Sequence, residues 1–256
     1  MSESLKGRHA VISGGGSGIG AAVADALAAA GARVTLLGRT AGRLQEKAAS
    51  LPQGQWLAVD VTDAAGVAAA MATAVERSGP VAILVNNAGL APPKHFIDTD
   101  LATWNQTLQV NMTGAFLCTQ AVLPGMIAAG WGRVINIAST AGLTAYRGAA
   151  AYVAAKHGLI GLTRALALEC ATTGVTVNAV CPGYTDTDMA ASAVDAIRAK
   201  KGISDAEARA ILAAKNPQRR LITPQEVAGT VAWLCQADSG AMTGQSVAVC
   251  GGEVMN

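Results

Sequence analysis

A tyrosine and a lysine, Tyr152 and Lys156, stand four positions apart in the stretch AYVAAKHG, among small apolar residues. At a helical rise, positions i and i+4 share one face, so a phenol and an ammonium would meet there. A free phenol, with a pKa near about 10, is a poor acid or base at neutral pH, whereas a cation beside it favours the phenolate. Such a pair could move a proton. A simpler reading makes Tyr152 a helix-surface aromatic and Lys156 a solvated charge, and the rest of the chain has to decide between the two.

A second candidate is SGGGSGIGAAV, residues 13–23, which follows an apolar run and opens a helical pattern. Glycine is needed where the chain turns with positive φ, where backbone must approach a pyrophosphate, and where helix packs closely on strand. Amides at a helix N-terminus then hold phosphate. The turn reads in two registers, Gly14, Gly18 and Gly20 or Gly16, Gly18 and Ala21, and both point to a dinucleotide. About 20 residues on, an acid would hold the adenosine ribose hydroxyls. Here Gly38 is followed by Arg39 and Thr40. With no carboxylate to repel a 2′-phosphate and a guanidinium to bind it, NADP(H) is favoured and NAD(H) is the alternative. Arg39 could also simply begin a loop.

The elements that must position these groups are legible as alternation. HAVIS, RVTLLG, QWLAVD, VAILVNN, RVINIAS, VTVNAV and SVAVC are short apolar runs separated by alanine-rich helical segments. Continuous apolar strands, each followed by a helix, predict an α/β fold: one doubly wound (Rossmann) domain over residues 1–256, with a parallel seven-stranded sheet and helices on both faces. Right-handed crossovers place every strand's C-terminal end on one edge, where ligands of such folds bind. The irregular region, about 183–223, is longer than ordinary connections and reads as a substrate lid. Its residues 195–220 hold seven basic side chains (Arg198, Lys200, Lys201, Arg209, Lys215, Arg219, Arg220) against three acids (Asp195, Asp205, Glu207).

Composition narrows the function classes. A net charge of +2 over 256 residues, without interleaved aromatic and basic residues, argues against nucleic acid or an anionic membrane as partner. Five scattered cysteines form no CxxC and have no histidine at ligand spacing, so neither a metal site nor a disulfide framework is indicated. MSESLKGRHA leaves no room for a signal peptide, and a cytoplasmic location is expected. Residues 101–132 carry no charge and are long enough to span a bilayer, yet Asn105, Gln106, Gln109, Asn111, Gln120 and Pro124 disfavour that. A helix covered by its own sheet and by another copy of the chain fits better, so a homo-oligomer is predicted. His9, His95 and His157 read as structural, and Trp104, Trp131 and Trp233 as packing.

Joined to the glycine turn, the YxxxK pair makes the chain resemble the short-chain dehydrogenase/reductase family over nearly its whole length. Residues Ser13 to Gly20 resemble that family's TGxxxGIG, with serine for threonine. The resemblance implies that Gly14, Ser17, Gly18, Ile19 and Gly20 bind cofactor. It implies adenine contacts from Asp60 and Val61 at the end of the third strand, where Asp60 could instead cap the next helix, as could Thr62 or Asp63. Asn86-Asn87-Ala88-Gly89 resembles the NNAG motif, giving Asn87 and Gly89 a place on the adenosine side. Pro182, Gly183, Thr185 and Thr187 resemble the turn beside the nicotinamide.

By the same resemblance Asn111, Ser139, Tyr152 and Lys156 are the catalytic set. Ser139 stands 13 positions before Tyr152. Asn111 is expected to help kink its helix and hold a water. The implied reaction is hydride transfer between NADP(H) and a ketone or secondary alcohol: Tyr152 protonates the carbonyl oxygen, Ser139 orients it, and Lys156 lowers the phenol's pKa and holds the nicotinamide ribose. A proton relay through ribose, Lys156 and the Asn111 water follows.

Leu90, Ala91, Pro92, Leu143, Tyr146, Tyr184 and Met189 are expected as apolar walls of the substrate pocket. The basic lid is either an ordinary solvated helix or a surface for the phosphates of a 3-oxoacyl thioester, as in the β-ketoacyl reductase and 3-hydroxyacyl dehydrogenase branch that the chain resembles, with a homotetramer expected. Two alternatives stay open: an NAD(H)-dependent dehydrogenase of a hydroxy acid, polyol or steroid, and a non-catalytic dinucleotide-binding regulator.

Overall fold

The computed structural model describes residues 4–255. From the N-terminus run β1 (His9–Ser13), α1 (Gly18–Ala29), β2 (Arg33–Gly38), α2 (Ala41–Ala49), β3 (Gly54–Ala58), α3 (Ala64–Ser78) and β4 (Val81–Asn86). Then follow α4 (Leu101–Leu108), a π-helical turn (Gln109–Thr113), α5 (Gly114–Ala128), β5 (Gly132–Ile137), α6 (Ala150–Glu169) and β6 (Val175–Pro182). The chain continues through α7 (Asp188–Lys201), α8 (Asp205–Ala213), α9 (Pro224–Leu234) and β7 (Ser246–Val249).

The seven strands form one parallel sheet in the order β3-β2-β1-β4-β5-β6-β7. The order reverses between β1 and β4, and that crevice is where such sheets take ligands.

Alternate residues of each strand face opposite helical layers, which explains the unbroken apolar runs. Ala10, Ile12, Leu36, Ile83, Ile135 and Val180 pack with Val23 and Leu27 of α1, Leu44 of α2 and Val227 and Val231 of α9. Val11, Leu37, Leu84, Val134 and Val177 pack with Val67 and Met71 of α3 and Val122 and Met126 of α5. His9 is buried as a structural residue, its two ring nitrogens 2.7 Å from Gly79 O and 2.9 Å from Thr35 Oγ1. Trp131 lies under two guanidiniums, Arg8 at 3.8 Å and Arg133 at 4.5 Å from its ring centre. Trp233 departs from the packing expectation, for it is 45% exposed on α9.

The uncharged stretch is long and apolar enough to cross a membrane by length and composition, over Leu101–Ala128. It is interrupted by the π-helical turn, and Pro124 lies inside α5. Its inward polar groups are satisfied within the protein: Thr107 Oγ1 donates to Thr103 O and Thr119 Oγ1 to Ala115 O, each at 2.7 Å.

A ladder of buried amides and hydroxyls ties these helices to the sheet. Asn86 Nδ2 donates to Thr119 Oγ1 at 3.0 Å and to Asn136 Oδ1 at 2.8 Å, and Asn136 Nδ2 donates to Thr163 Oγ1 at 2.9 Å. Asn86 and Asn136 are direct register partners on β4 and β5. The ladder therefore runs from α5 through two strands to α6 and sets where α6 lies. Asn136→Ala should cost about 1–3 kcal/mol in urea unfolding, because buried partners lose their bonds. A loss below about 0.5 kcal/mol, the scale of a neutral surface change, would show the ladder to be dispensable.

Candidate functional site

The glycine turn joins β1 to α1. Gly14 and Gly18 have φ of +64° and +52°, values that L side chains rarely adopt. The turn is sewn to the end of β4: Asn87 Nδ2 donates to Ser13 O and Gly14 O, both at 3.1 Å, while the Asn87 and Ala88 amides donate to Ser13 Oγ at 3.0 and 3.1 Å. A Cβ on Gly20 would come within 2.3 Å of Gly14 O and 2.6 Å of Asn87 Nδ2, so only glycine lets helix and turn close up. Ser13, the serine-for-threonine change, keeps the hydroxyl that this seam uses.

Asn87 thus builds the turn's back wall. Ile19 packs against the core, and Ser17 is the exposed N-cap of α1, its side chain not used for capping.

One expectation about a strand end needs correction. Residues Asp60 and Val61 do not end β3, which stops at Ala58. Asp60 Oδ1 accepts from the Thr62 amide at 2.9 Å and from Thr62 Oγ1 at 2.8 Å, and these bonds, chiefly the amide's, hold its carboxyl below the usual range, with Arg39 adding to the effect. An Asx-type turn has replaced the last strand pairs. Asp63, not Asp60, takes the N-cap position of α3. Val61 is buried against α5, where a Cβ on Gly114 would sit 2.7 Å from its Cγ2.

Arg39 follows β2 and is exposed. One cleft of about 380 Å³ lies beside the glycine turn, lined by Gly16, Ser17, Arg43, Lys47 and Asp188 among others. The sequence reading missed Arg43. Its guanidinium donates to Asp188 Oδ2 at 2.7 Å, bridging α2 to the first residue of α7, and its position one helical turn past Arg39 was the available signal.

Thr187, next to Asp188, comes close to the glycine turn, its Cγ2 3.0 Å from where a Gly18 Cβ would be. Pro182 closes β6, and Thr185 Oγ1 donates to Gly183 O at 3.0 Å, as Thr187 Oγ1 does to Thr185 O at 3.2 Å. These hydroxyls shape the turn after β6 and bring it to the mouth of the first one.

Ser139, Tyr152, Lys156 and Asn111 converge at the ends of β4 and β5. Ser139 follows β5 as an N-cap, its Oγ accepting from the Ala141 amide at 3.1 Å, and it also hydrogen-bonds the Tyr152 phenol. Lys156 is buried at 3% exposure, its Nζ donating to Ile137 O at 2.8 Å and standing 5.5 Å from the Tyr152 ring centre.

Asn111 lies in the π-helical turn. Its Nδ2 donates to Thr107 O at 2.9 Å and Leu90 O at 2.8 Å, and its Oδ1 accepts from the Leu90 amide at 3.3 Å. The asparagine thereby anchors the segment after β4 as well as the break in its helix. Gly89 keeps the space between them open: a Cβ there would lie 2.9 Å from Asn111 Oδ1 and 3.8 Å from Lys156 Nζ.

The electrostatics differ from the expected ammonium-lowered phenol. Burial pushes Tyr152 up to about 12, the Ser139 hydrogen bond opposing it, and burial pulls Lys156 down to about 8. The ammonium faces a strand-end carbonyl here, not the phenol oxygen, so desolvation outweighs attraction. Tyr152 is accordingly held as a protonated donor.

The pocket walls also differ from an all-apolar set. Tyr146 OH lies 2.8 Å from Thr140 Oγ1 and 2.7 Å from Glu253 Oε1, and its ring meets Tyr184 edge-on with centroids 6.5 Å apart. Glu253 was not foreseen, although it follows Gly251 and Gly252 just past β7, on the edge where every strand ends.

The arrangement suits a dinucleotide: free amides at the start of α1, an uncommitted Ser17 hydroxyl, and a cleft that side chains on Gly18 or Gly89 would obstruct. It also suits proton transfer beside it.

Comparison with known proteins agrees. Residues 8–198 match the family model for short chain dehydrogenase. A protein assigned as ketoacyl reductase 1 of the granaticin polyketide synthase of Streptomyces violaceoruber is 41% identical over 250 residues, covering 95% of this chain and 92% of that protein. D-beta-hydroxybutyrate dehydrogenase of Rhizobium meliloti is 38% identical over 252 residues, covering 96% and 98%. A crystal structure of a variant actinorhodin polyketide ketoreductase with NADPH superposes with a TM-score of 0.93 at 38% identity, covering 99% of both chains. The chain belongs to the short-chain dehydrogenase/reductase family, and it is an NAD(P)-dependent oxidoreductase that interconverts ketones and secondary alcohols.

Proposed function

We propose that this enzyme works as an NADP(H)-dependent carbonyl reductase on a 3-oxoacyl thioester or a similar keto substrate, with Asn111, Ser139, Tyr152 and Lys156 as its catalytic residues. The observation that carries the reading is a half-buried tyrosine whose phenol is kept protonated by desolvation, next to a serine hydroxyl and a buried lysine.

Reduction builds negative charge on the carbonyl oxygen, so donors must already stand where it develops. Tyr152 gives that oxygen its proton and Ser139 donates a second hydrogen bond, turning the hydroxyl that now meets the phenol. When bound, the cofactor supplies the hydride from its nicotinamide. Lys156, drawn down to about 8, can lose and regain a proton near neutral pH, and its ammonium stabilises the phenolate left once Tyr152 has given up its proton. Asn111 and Gly89 keep the ammonium's side of the cleft open.

Cofactor contacts are assigned to Gly14, Ser17, Gly18, Ile19 and Gly20, to Asp60, Val61, Asn87 and Gly89, and to Pro182, Gly183, Thr185 and Thr187, with Lys156 and Tyr152 shared. Arg39 takes the 2′-phosphate, supported by its exposure and by the absence of an acid after Gly38. Residues 183–223 form the substrate lid of a single domain. Within it Arg198 pairs with Asp195, Arg209 with Asp186 and Asp205, and Arg220 with Glu226, while Lys200, Lys201, Lys215 and Arg219 are exposed and in no ion pair among the described residues. Those four are what a thioester carrier's phosphates would meet, and ketoacyl reductases among the relatives support that choice.

Exposed apolar residues on the helices around the site, Leu101 at 73%, Phe116 at 43% and Leu168 at 80%, support a homotetramer. Five buried free thiols suit the cytoplasm.

Three measurements test this reading. Tyr152→Phe should lower kcat by about 10²–10⁴-fold while leaving NADPH binding within about threefold, the size expected for one lost acid. Substantial residual turnover would remove the phenol from its role. Arg39→Asp should weaken NADPH at least about tenfold relative to NADH, the loss of one charged phosphate contact, and an unchanged ratio would reassign the residue. In sedimentation, Phe116→Lys together with Leu168→Lys should convert tetramers to smaller species. Intact tetramers would place the interface elsewhere.

A further inference from the structure

We infer that Glu253 is a specificity-determining residue, whose fixed carboxylate makes the enzyme reject ketones carrying a free carboxylate and select their neutral ester or thioester counterparts. The inference rests on the carbonyl-reductase reading and refines its substrate class.

The tail after β7 folds back over the turn after β6. Gly183 N donates to Val249 O at 3.1 Å, and a Cβ on Gly183 would lie 2.9 Å from Glu253 Oε2 and 3.2 Å from Cys250 Cβ. Glu253 is thereby delivered to the end of β6, across from the segment that follows Ser139.

A chain of hydroxyls fixes it there. A tyrosine has one O–H, and a carboxylate can only accept, so Tyr146 donates to Glu253 Oε1 at 2.7 Å and the Thr140 hydroxyl donates to Tyr146 at 2.8 Å. Thr140 is buried and adjacent to Ser139, which meets the Tyr152 phenol. Tyr184, edge-on to Tyr146, closes the other side. Two hydrogen bonds therefore join the carboxylate to Thr140, the residue next to Ser139.

Nothing neutralises it. Among the described residues no lysine, arginine or histidine forms an ion pair with Glu253, and its Oε2 is buried without a hydrogen-bond partner. A carboxylate with no cation beside it repels a second one. A 3-oxo acid would have to bring its own carboxylate into that field, whereas an ester or thioester brings only a carbonyl. The exposed lysines of α7 lie on the outer face and can meet distant phosphates without cancelling the charge inside.

The test compares acetoacetate with methyl acetoacetate, assayed with NADPH at fixed ionic strength. The native enzyme should favour the ester by at least about tenfold in kcat/KM, and Glu253→Gln, which keeps an acceptor for Tyr146, should shift the anion-to-ester ratio toward the anion by at least about tenfold. A ratio unmoved by Glu253→Gln overturns the inference, since a merely structural role would change both substrates alike. Should that variant fail to fold, equal kcat/KM for the two substrates in the native enzyme overturns it instead, while the reductase reading stands. Reduction of neither ketone by the native enzyme overturns both.

Discussion

The site depends on a lysine ammonium kept out of water. Lys156 is 3% exposed, and the end of β5 offers it one carbonyl, Ile137 O. Burying such a charge is unfavourable unless its surroundings are fixed, which is why its affinity for the proton falls and why the elements around it are packed so closely. A Cβ on Gly142 would meet Lys156 O at 2.8 Å, and one on Gly158 would meet Met112 Sδ at 2.5 Å. Glycine at both positions lets α6 press against the turn after Ser139 and against the π-helical segment. The amide ladder from Asn86 through Asn136 to Thr163 then holds that helix to the sheet, so the ammonium, the phenol one turn earlier and the Ser139 hydroxyl are positioned together.

The same edge of the sheet is organised along its length by other seams of this kind. Asn87 and Ser13 lock the glycine turn to the end of β4, Asn111 locks the following segment to the break between α4 and α5, and Thr185 and Thr187 shape the turn after β6. Each seam uses a short polar side chain to satisfy backbone groups left over where a strand stops. The cleft is thus built from satisfied peptide groups around a few ionisable ones. Its charges are separated in space: Arg39 and Arg43 at the β2 side, the buried ammonium in the middle, and the Glu253 carboxylate at the β6–β7 end. Cationic side chains thus stand at one end of this sheet edge and a carboxylate at the other.

Much of this was legible in the amino-acid order. Apolar runs alternating with alanine-rich segments specified a parallel seven-stranded α/β sheet, because each such run has to be covered on both faces. SGGGSGIG, NNAG, Ser139 and YxxxK fall at the ends of β1, β4, β5 and on α6, where local pattern alone placed them. These features are short-range: spacing within a helix, glycine where a turn needs it, an asparagine inside an apolar helix.

What only tertiary structure decided are relations between residues far apart in the chain. Arg43 acquires its place only when α7 brings Asp188 to it. Whether Lys156 acidifies Tyr152 depends on how deeply both are buried, and there desolvation prevailed over the attraction their spacing suggested. Glu253, 107 positions from Tyr146, becomes part of the site because β7 ends beside β6. Helical and strand periodicity are written in neighbouring residues, whereas burial and electrostatic balance belong to the packed whole.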